Sequence, residues 1–106
     1  MTPEQQRIAI AEACPNVIRR LSDPTVWQYN QGGYWMDCIK NNPLNDLNAC
    51  HEALSVLTEE QRNAFLRKLE IVVDDTIPGG WLWACVNATA DQRCEAFLRT
   101  LNLWTD

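Results

Sequence analysis

His51 and Glu52 are the first place in this chain where acid–base chemistry could arise, because His51 is its single histidine. Neighbours on a helix project about 100° apart, so the two are not a prearranged pair. A metalloprotease H-E-x-x-H would need a second histidine where Ser55 stands. On the expected apolar stripe, His51 falls between Leu47 and Leu54 and reads as a hydrogen-bonded core or boundary residue. No G-x-S-x-G occurs, and Cys50 and His51 are again separated by helical geometry. Gly32-Gly33 and Gly79-Gly80 are too short to cradle a phosphate, and no P-loop lysine follows them. The five cysteines, Cys14, Cys38, Cys50, Cys85 and Cys94, include no close ligand pair of the zinc type. They read as buried free thiols that pack as small hydrophobes in a reducing compartment. No metal, no cofactor and no enzymatic activity is expected.

Two constellations could bind instead. Arg19 and Arg20 form the one adjacent basic pair, and Trp27, Tyr29 and Trp35 follow closely. Guanidinium on phosphate and rings on a base would hold a small nucleotide. The plainer reading puts the aromatics in a core and the arginines at its rim. The second constellation is acidic: Asp37, Asp46, Glu70, Asp74 and Asp75. Clustered, they would mimic a phosphate backbone toward a basic partner protein. Scattered, they are ordinary solvated charge. A net charge of −5 with two lysines argues against direct nucleic-acid binding.

The elements that would position these residues are marked by their caps. A chain of 106 residues makes one domain and buries about two-thirds of its unfolded surface. No window approaches the ~20 apolar residues of a membrane span, and the N-terminus lacks a secretory signal pattern, so an intracellular setting is expected. Thr2-Pro3-Glu4-Gln5 is a capping box opening a helix to about Ala13, which Pro15 ends. Residues 17–21, 25–29 and 34–39 read as three antiparallel strands, with a hairpin loop at 30–33. Trp27 and Tyr29 share one face of the second strand. Asn42 and Pro43 open a helix whose stripe is Leu44, Leu47, His51, Leu54 and Leu57. Thr58 and Gln61 box a second helix, striped by Phe65, Leu66, Leu69, Val72 and Val73 and ending near Val73. After Pro78-Gly79-Gly80, residues 81–86 are apolar on both faces, which predicts a strand covered on both sides. Thr89 and Gln92 box a last helix to about Trp104. The sum is an α+β fold: a helix/sheet/helix sandwich of about four helices around a small, mainly antiparallel sheet.

Three segments carry a family resemblance: MTPEQQRIAIAEAC at the start, PLNDLNACHEALSVLTEEQR in the middle and ATADQRCEAFLRTLNLW at the end. They resemble small proteins of tailed phages and prophages described as phage ABA sandwich domains. The run of residues 45–53, NDLNACHEA, is the most specific piece, with Cys50 where methionine is expected. Residues 16–41 match poorly. The resemblance implies the layered fold and the cytoplasm of an infected bacterial host, and supplies no catalytic residues. In that setting the chain is expected to be a non-catalytic accessory protein, a counter-defence inhibitor of the anti-CRISPR kind that binds a host defence protein. The alternative is a homo-oligomeric sponge that sequesters a small cyclic nucleotide signal. Specificity is expected in residues 16–41, since variable segments on a shared scaffold tend to carry recognition.

Overall fold

A computed structural model describes residues 1–73 and 78–106. Helix α1 (Pro3–Ala13) begins at the expected box. Thr2 Oγ1 accepts from the Gln5 N–H at 3.1 Å, and Gln5 Oε1 accepts from the Thr2 N–H at 2.9 Å. The helix buries Gln6 and Ile10 and stops at Cys14.

Strands β1 (Ile18–Arg20), β2 (Trp27–Gln31) and β3 (Tyr34–Asp37) form an antiparallel meander in the order β1-β2-β3. Ile18 pairs with Tyr29 and Tyr29 with Met36, while Arg20 pairs with Trp27. Directly paired residues share a face, so Ile18, Trp27 and Tyr29 all point to one side, where they are buried. That side packs against α1 and, through β2, against the next helix. The other face carries Arg19, Gln28, Asn30, Trp35 and Asp37, none of them buried. The hairpin turns on Gly32 (φ 61°) and Gly33 (φ 92°), consecutive positive values that match the twist of the strands.

After β3 the chain makes two single 3₁₀ turns, Ile39–Asn41 and Pro43–Asn45. Asn42 does act as a cap, its Oδ1 accepting from the Leu44 N–H at 3.0 Å, but only for the second of these turns. Helix α2 starts later and spans Leu47–Leu54, with Asp46 as its N-cap. Helix α3 (Glu59–Val72) opens at Thr58 and ends where expected, at Val73.

The segment read as a doubly covered strand is instead helix α4 (Gly80–Val86). Only its small residue Ala84 is buried among those on which burial is described, while Leu82, Trp83 and Val86 face out. A six-residue apolar run fits either period, and here Gly79 (φ 100°) and Gly80 (φ 71°) turn the chain into a short helix against α3.

Helix α5 (Ala90–Thr100) stops before Trp104. Asn102 takes a left-handed φ of 59°, and the Leu103 N–H reaches back to the Leu98 carbonyl at 2.9 Å, a Schellman-type ending. Trp104 then lies under the Arg99 guanidinium, 4.9 Å from the ring centre.

The fold is therefore α+β, four main helices with a small antiparallel sheet packed against them. Helix α5 lies at its centre, packed on α1, α2 and α3 and burying Ala90, Cys94, Ala96, Phe97 and Leu98. Among the described residues, no helix is long and apolar enough to cross a membrane.

Candidate functional site

The principal concave surface follows from how α2 meets α5. Helix α2 buries its small residues, Ala49, Cys50 and Ala53. Small side chains let two helices approach closely, and they leave the larger apolar residues of α2 facing outward. Leu47 is 54% exposed, His51 is exposed and Leu54 is half-buried. The expected stripe of Leu44, Leu47, His51, Leu54 and Leu57 is thus corrected: Leu44 and Leu57 are buried, but Leu47 and His51 are not. On α3, Phe65 and Leu69 are buried, as is Val73 just past its end, while Leu66 is 58% exposed.

Between these two helices lies an open hollow of about 430 Å³ lined by His51, Leu54, Ser55, Leu57, Arg62, Phe65 and Leu66. A second hollow of about 270 Å³, lined by Leu47, Asn48, His51, Leu54 and Arg93, adjoins it. His51 and Leu54 line both, so the two hollows adjoin on the exposed side of α2, and together they are termed the groove. Its walls are mainly apolar, and its fixed charges, Arg62 and Arg93, are both positive. Arg93 is held in place by neutral acceptors, the Ala88 carbonyl at 3.1 Å and the Val86 carbonyl at 3.3 Å. Neither arginine makes an ion pair among the described residues. No carboxylate lines either hollow.

Of the five residues expected to hold a nucleotide, Arg19, Arg20 and Trp27 line one open hollow of about 370 Å³ beside α1, and Tyr29 and Trp35 are not among its lining residues. Trp27 and Tyr29 are core residues, 3% and 4% exposed. Burial pushes the Tyr29 phenol above its ordinary pKa. Arg20 lies over the Trp27 ring at 4.7 Å and pairs with Glu4 at 2.7 Å. Arg19 is on the opposite face, stacked on Trp35 at 4.0 Å. Its Nε and Nη2 both donate to Gln28 Oε1, at 3.0 and 2.7 Å, and Gln28 Nε2 donates to Asp37 Oδ1 at 2.7 Å. The two arginines are thus already engaged by neighbouring side chains, Arg19 by Gln28 and Arg20 by Glu4.

Three residues of the expected acidic strip, Asp37, Asp46 and Glu70, lie among the described ones. Asp46 is 1% exposed and serves as a cap, not as a surface charge. Its Oδ1 accepts from the Asn48 and Ala49 N–H groups at 2.9 and 3.1 Å, and its Oδ2 from the Ile39 N–H at 2.8 Å. Asp37 and Glu70 are exposed on different elements, β3 and α3. Asp74 and Asp75 lie outside the described residues.

Four of the cysteines are buried, and Cys85 is partly exposed. Burial pushes the Cys14 and Cys38 thiols up to about 12. Among the described residues, no group of three or more histidine, cysteine or acidic side chains is placed to hold a metal ion.

The groove residues Arg62, Leu66 and Arg93 were not singled out as a site in the sequence. The signal for them was the A-C-x-x-A spacing of Ala49, Cys50 and Ala53, which has helical period and competes with the leucine stripe. No family model, no curated protein and no solved structure matches the chain.

Proposed function

We propose that this chain is a non-catalytic binding protein that docks an amphipathic segment of a partner protein in the α2–α3 groove. The groove itself carries the reading. It is an apolar channel between two helices, the geometry used to seat the apolar face of an incoming helix. Arg62 and Arg93 specify the partner further, favouring apolar side chains flanked by carboxylates. Two or three apolar side chains seated here would contribute about 1.5–3 kcal/mol each.

The resemblance to small phage proteins suggests the setting. The partner would be a host defence protein, inhibited in the cytoplasm of an infected bacterium. The nucleotide-sponge reading has less support, because Trp27 and Tyr29 are buried and both arginines are already engaged, Arg19 with Gln28 and Arg20 with Glu4. An enzymatic reading has less still, since His51 lines the groove with apolar and basic neighbours and no carboxylate.

The test compares immobilised wild-type protein with Leu66→Asp in bacterial lysate. A partner retained by wild type, lost with Leu66→Asp and released by a competing acidic amphipathic peptide is the expected result. Equal retention by both proteins would remove the groove from the account.

A further inference from the structure

Two buried thiols meet where α2 crosses α5, on the side of α2 away from its outward leucines. Cys50 Sγ and Cys94 Sγ are 3.0 Å apart, although the residues are 44 positions apart in sequence. Cys50 Sγ also lies 3.2 Å from the Ala90 carbonyl, so one thiol proton can go to that oxygen while the other links the sulfurs. A covalent bond requires about 2.05 Å, an approach of about 1 Å from here.

A small space adjoins the pair. A hollow of about 10 Å³ reaches the pair, lined by both cysteines and by Ile10, Ala53 and Phe97. Leu54 and Arg93 line it too, and both also line the surface groove. Such a space is about one water in size. Hydrogen peroxide is scarcely larger than water, whereas a glutathione-sized disulfide is far too bulky. Cys14 and Cys38 are equally buried but have no such sulfur contact; Cys14 Sγ donates to the Ile10 carbonyl instead, at 3.0 Å.

We propose that Cys50 and Cys94 are a modification site for peroxide-sized oxidants, closing to an intramolecular disulfide that ties α2 to α5. One thiol gives up its proton and its sulfur attacks a peroxide oxygen. The O–O bond breaks, a sulfenic acid forms and one water leaves. The second sulfur, giving up its proton, attacks the first; the S–S bond forms, the S–O bond breaks and a second water leaves. The two thiols lose two electrons and two protons, and the peroxide is reduced to water. The hydrogen bond that Cys94 donates to the Cys50 sulfur, together with burial, holds the Cys94 thiol well above the ordinary range. Closure is therefore slow at neutral pH and accelerates as the pH rises.

The folded protein is treated with hydrogen peroxide or, in parallel, with glutathione disulfide. It is then denatured, alkylated and mapped by mass spectrometry. The peroxide sample should lose two alkylatable thiols and yield a Cys50–Cys94 linked peptide. Its Tm should rise by roughly 5–10 °C, reversed by reductant. Glutathione disulfide should act at least about tenfold more slowly, because entry is limited by size. Cys14→Ala should leave closure unchanged and Cys50→Ala should abolish it, with the wild-type peptide map decisive if Cys50→Ala folds poorly. Full alkylation after peroxide, a sulfinic acid at either position or a link to another cysteine would overturn the proposal. Equal rates with both oxidants would overturn the access route, showing entry by unfolding.

Discussion

Asp46 holds three backbone N–H groups on one buried carboxylate, two at the start of α2 and one at Ile39. The Ile39 contact matters because the next two residues, Lys40 and Asn41, are both left-handed, at φ 54° and 52°. Such values are uncommon for residues with a Cβ and persist only when neighbouring contacts hold them. Asp46→Ala would orphan all three donors and should cost about 2–4 kcal/mol in urea unfolding. Asp46→Asn should cost less, since an amide oxygen can still cap α2, but its NH₂ would then face the Ile39 N–H. A loss under about 0.5 kcal/mol for the alanine variant would show that the cap is dispensable. The thiols make a second prediction at this scale. Below about pH 9, Cys14 and Cys38 are protonated in both folded and unfolded chains, so they give stability no pH dependence. Between the ordinary thiol value of 9.0 and the folded value of about 12, the unfolded chain loses protons that the folded chain keeps. Stability should therefore fall as pH rises through that window, by up to about 1.4 kcal/mol per pH unit for each thiol. Urea midpoints across the window would check this, and Cys14→Ala should make the decline shallower.

Helix α4 depends on Gly79 at its entrance. A Cβ there would lie 2.6 Å from Trp83 Cβ, at a φ of 100° that other residues rarely adopt. Gly79→Ala should destabilise the protein by about 1–2 kcal/mol, read as a lower Tm, through disruption of α4. An unchanged Tm would mean that α4 contributes little to the fold. This helix is also where the sequence was least legible. The T-x-x-Q boxes at Thr2, Thr58 and Thr89 each formed, because capping is short-range chemistry written in four consecutive residues. The alternation that placed Trp27 and Tyr29 together was equally local, and both are buried on one face of β2. Residues 81–86 offered no such local answer. A run apolar in every position has no period, so tertiary contacts decided it, and they favoured a helix against α3. For α2 two caps competed. Asn42 took a 3₁₀ turn and Asp46 took the helix, and the choice of inward face went to the small residues that fit closely against α5. The groove could not be read beforehand because Leu47 and Leu54 look like core until their smaller neighbours are known to fill it.

At the scale of the whole molecule, charge and shape are distributed unevenly. The chain carries a net charge of −5, yet the groove presents arginines and no carboxylate. An acidic partner would thus be disfavoured over much of the surface and favoured at the groove, which orients an encounter as well as strengthening it. Leu66 can be changed without damage to the core because it is more than half exposed. Leu66→Asp should leave Tm nearly unchanged, within about 0.5 kcal/mol of stability, while weakening docking by about tenfold or more. The most direct test is an amide NMR titration of the labelled protein with an acidic amphipathic helical peptide, alongside its lysine-substituted counterpart. Saturable shifts confined to the groove, at His51, Leu54, Ser55, Arg62 and Leu66, are expected, strong with the acidic peptide and weak with the basic one. Shifts centred on Arg19 and Trp35, or equal responses to both peptides, would contradict docking in the groove.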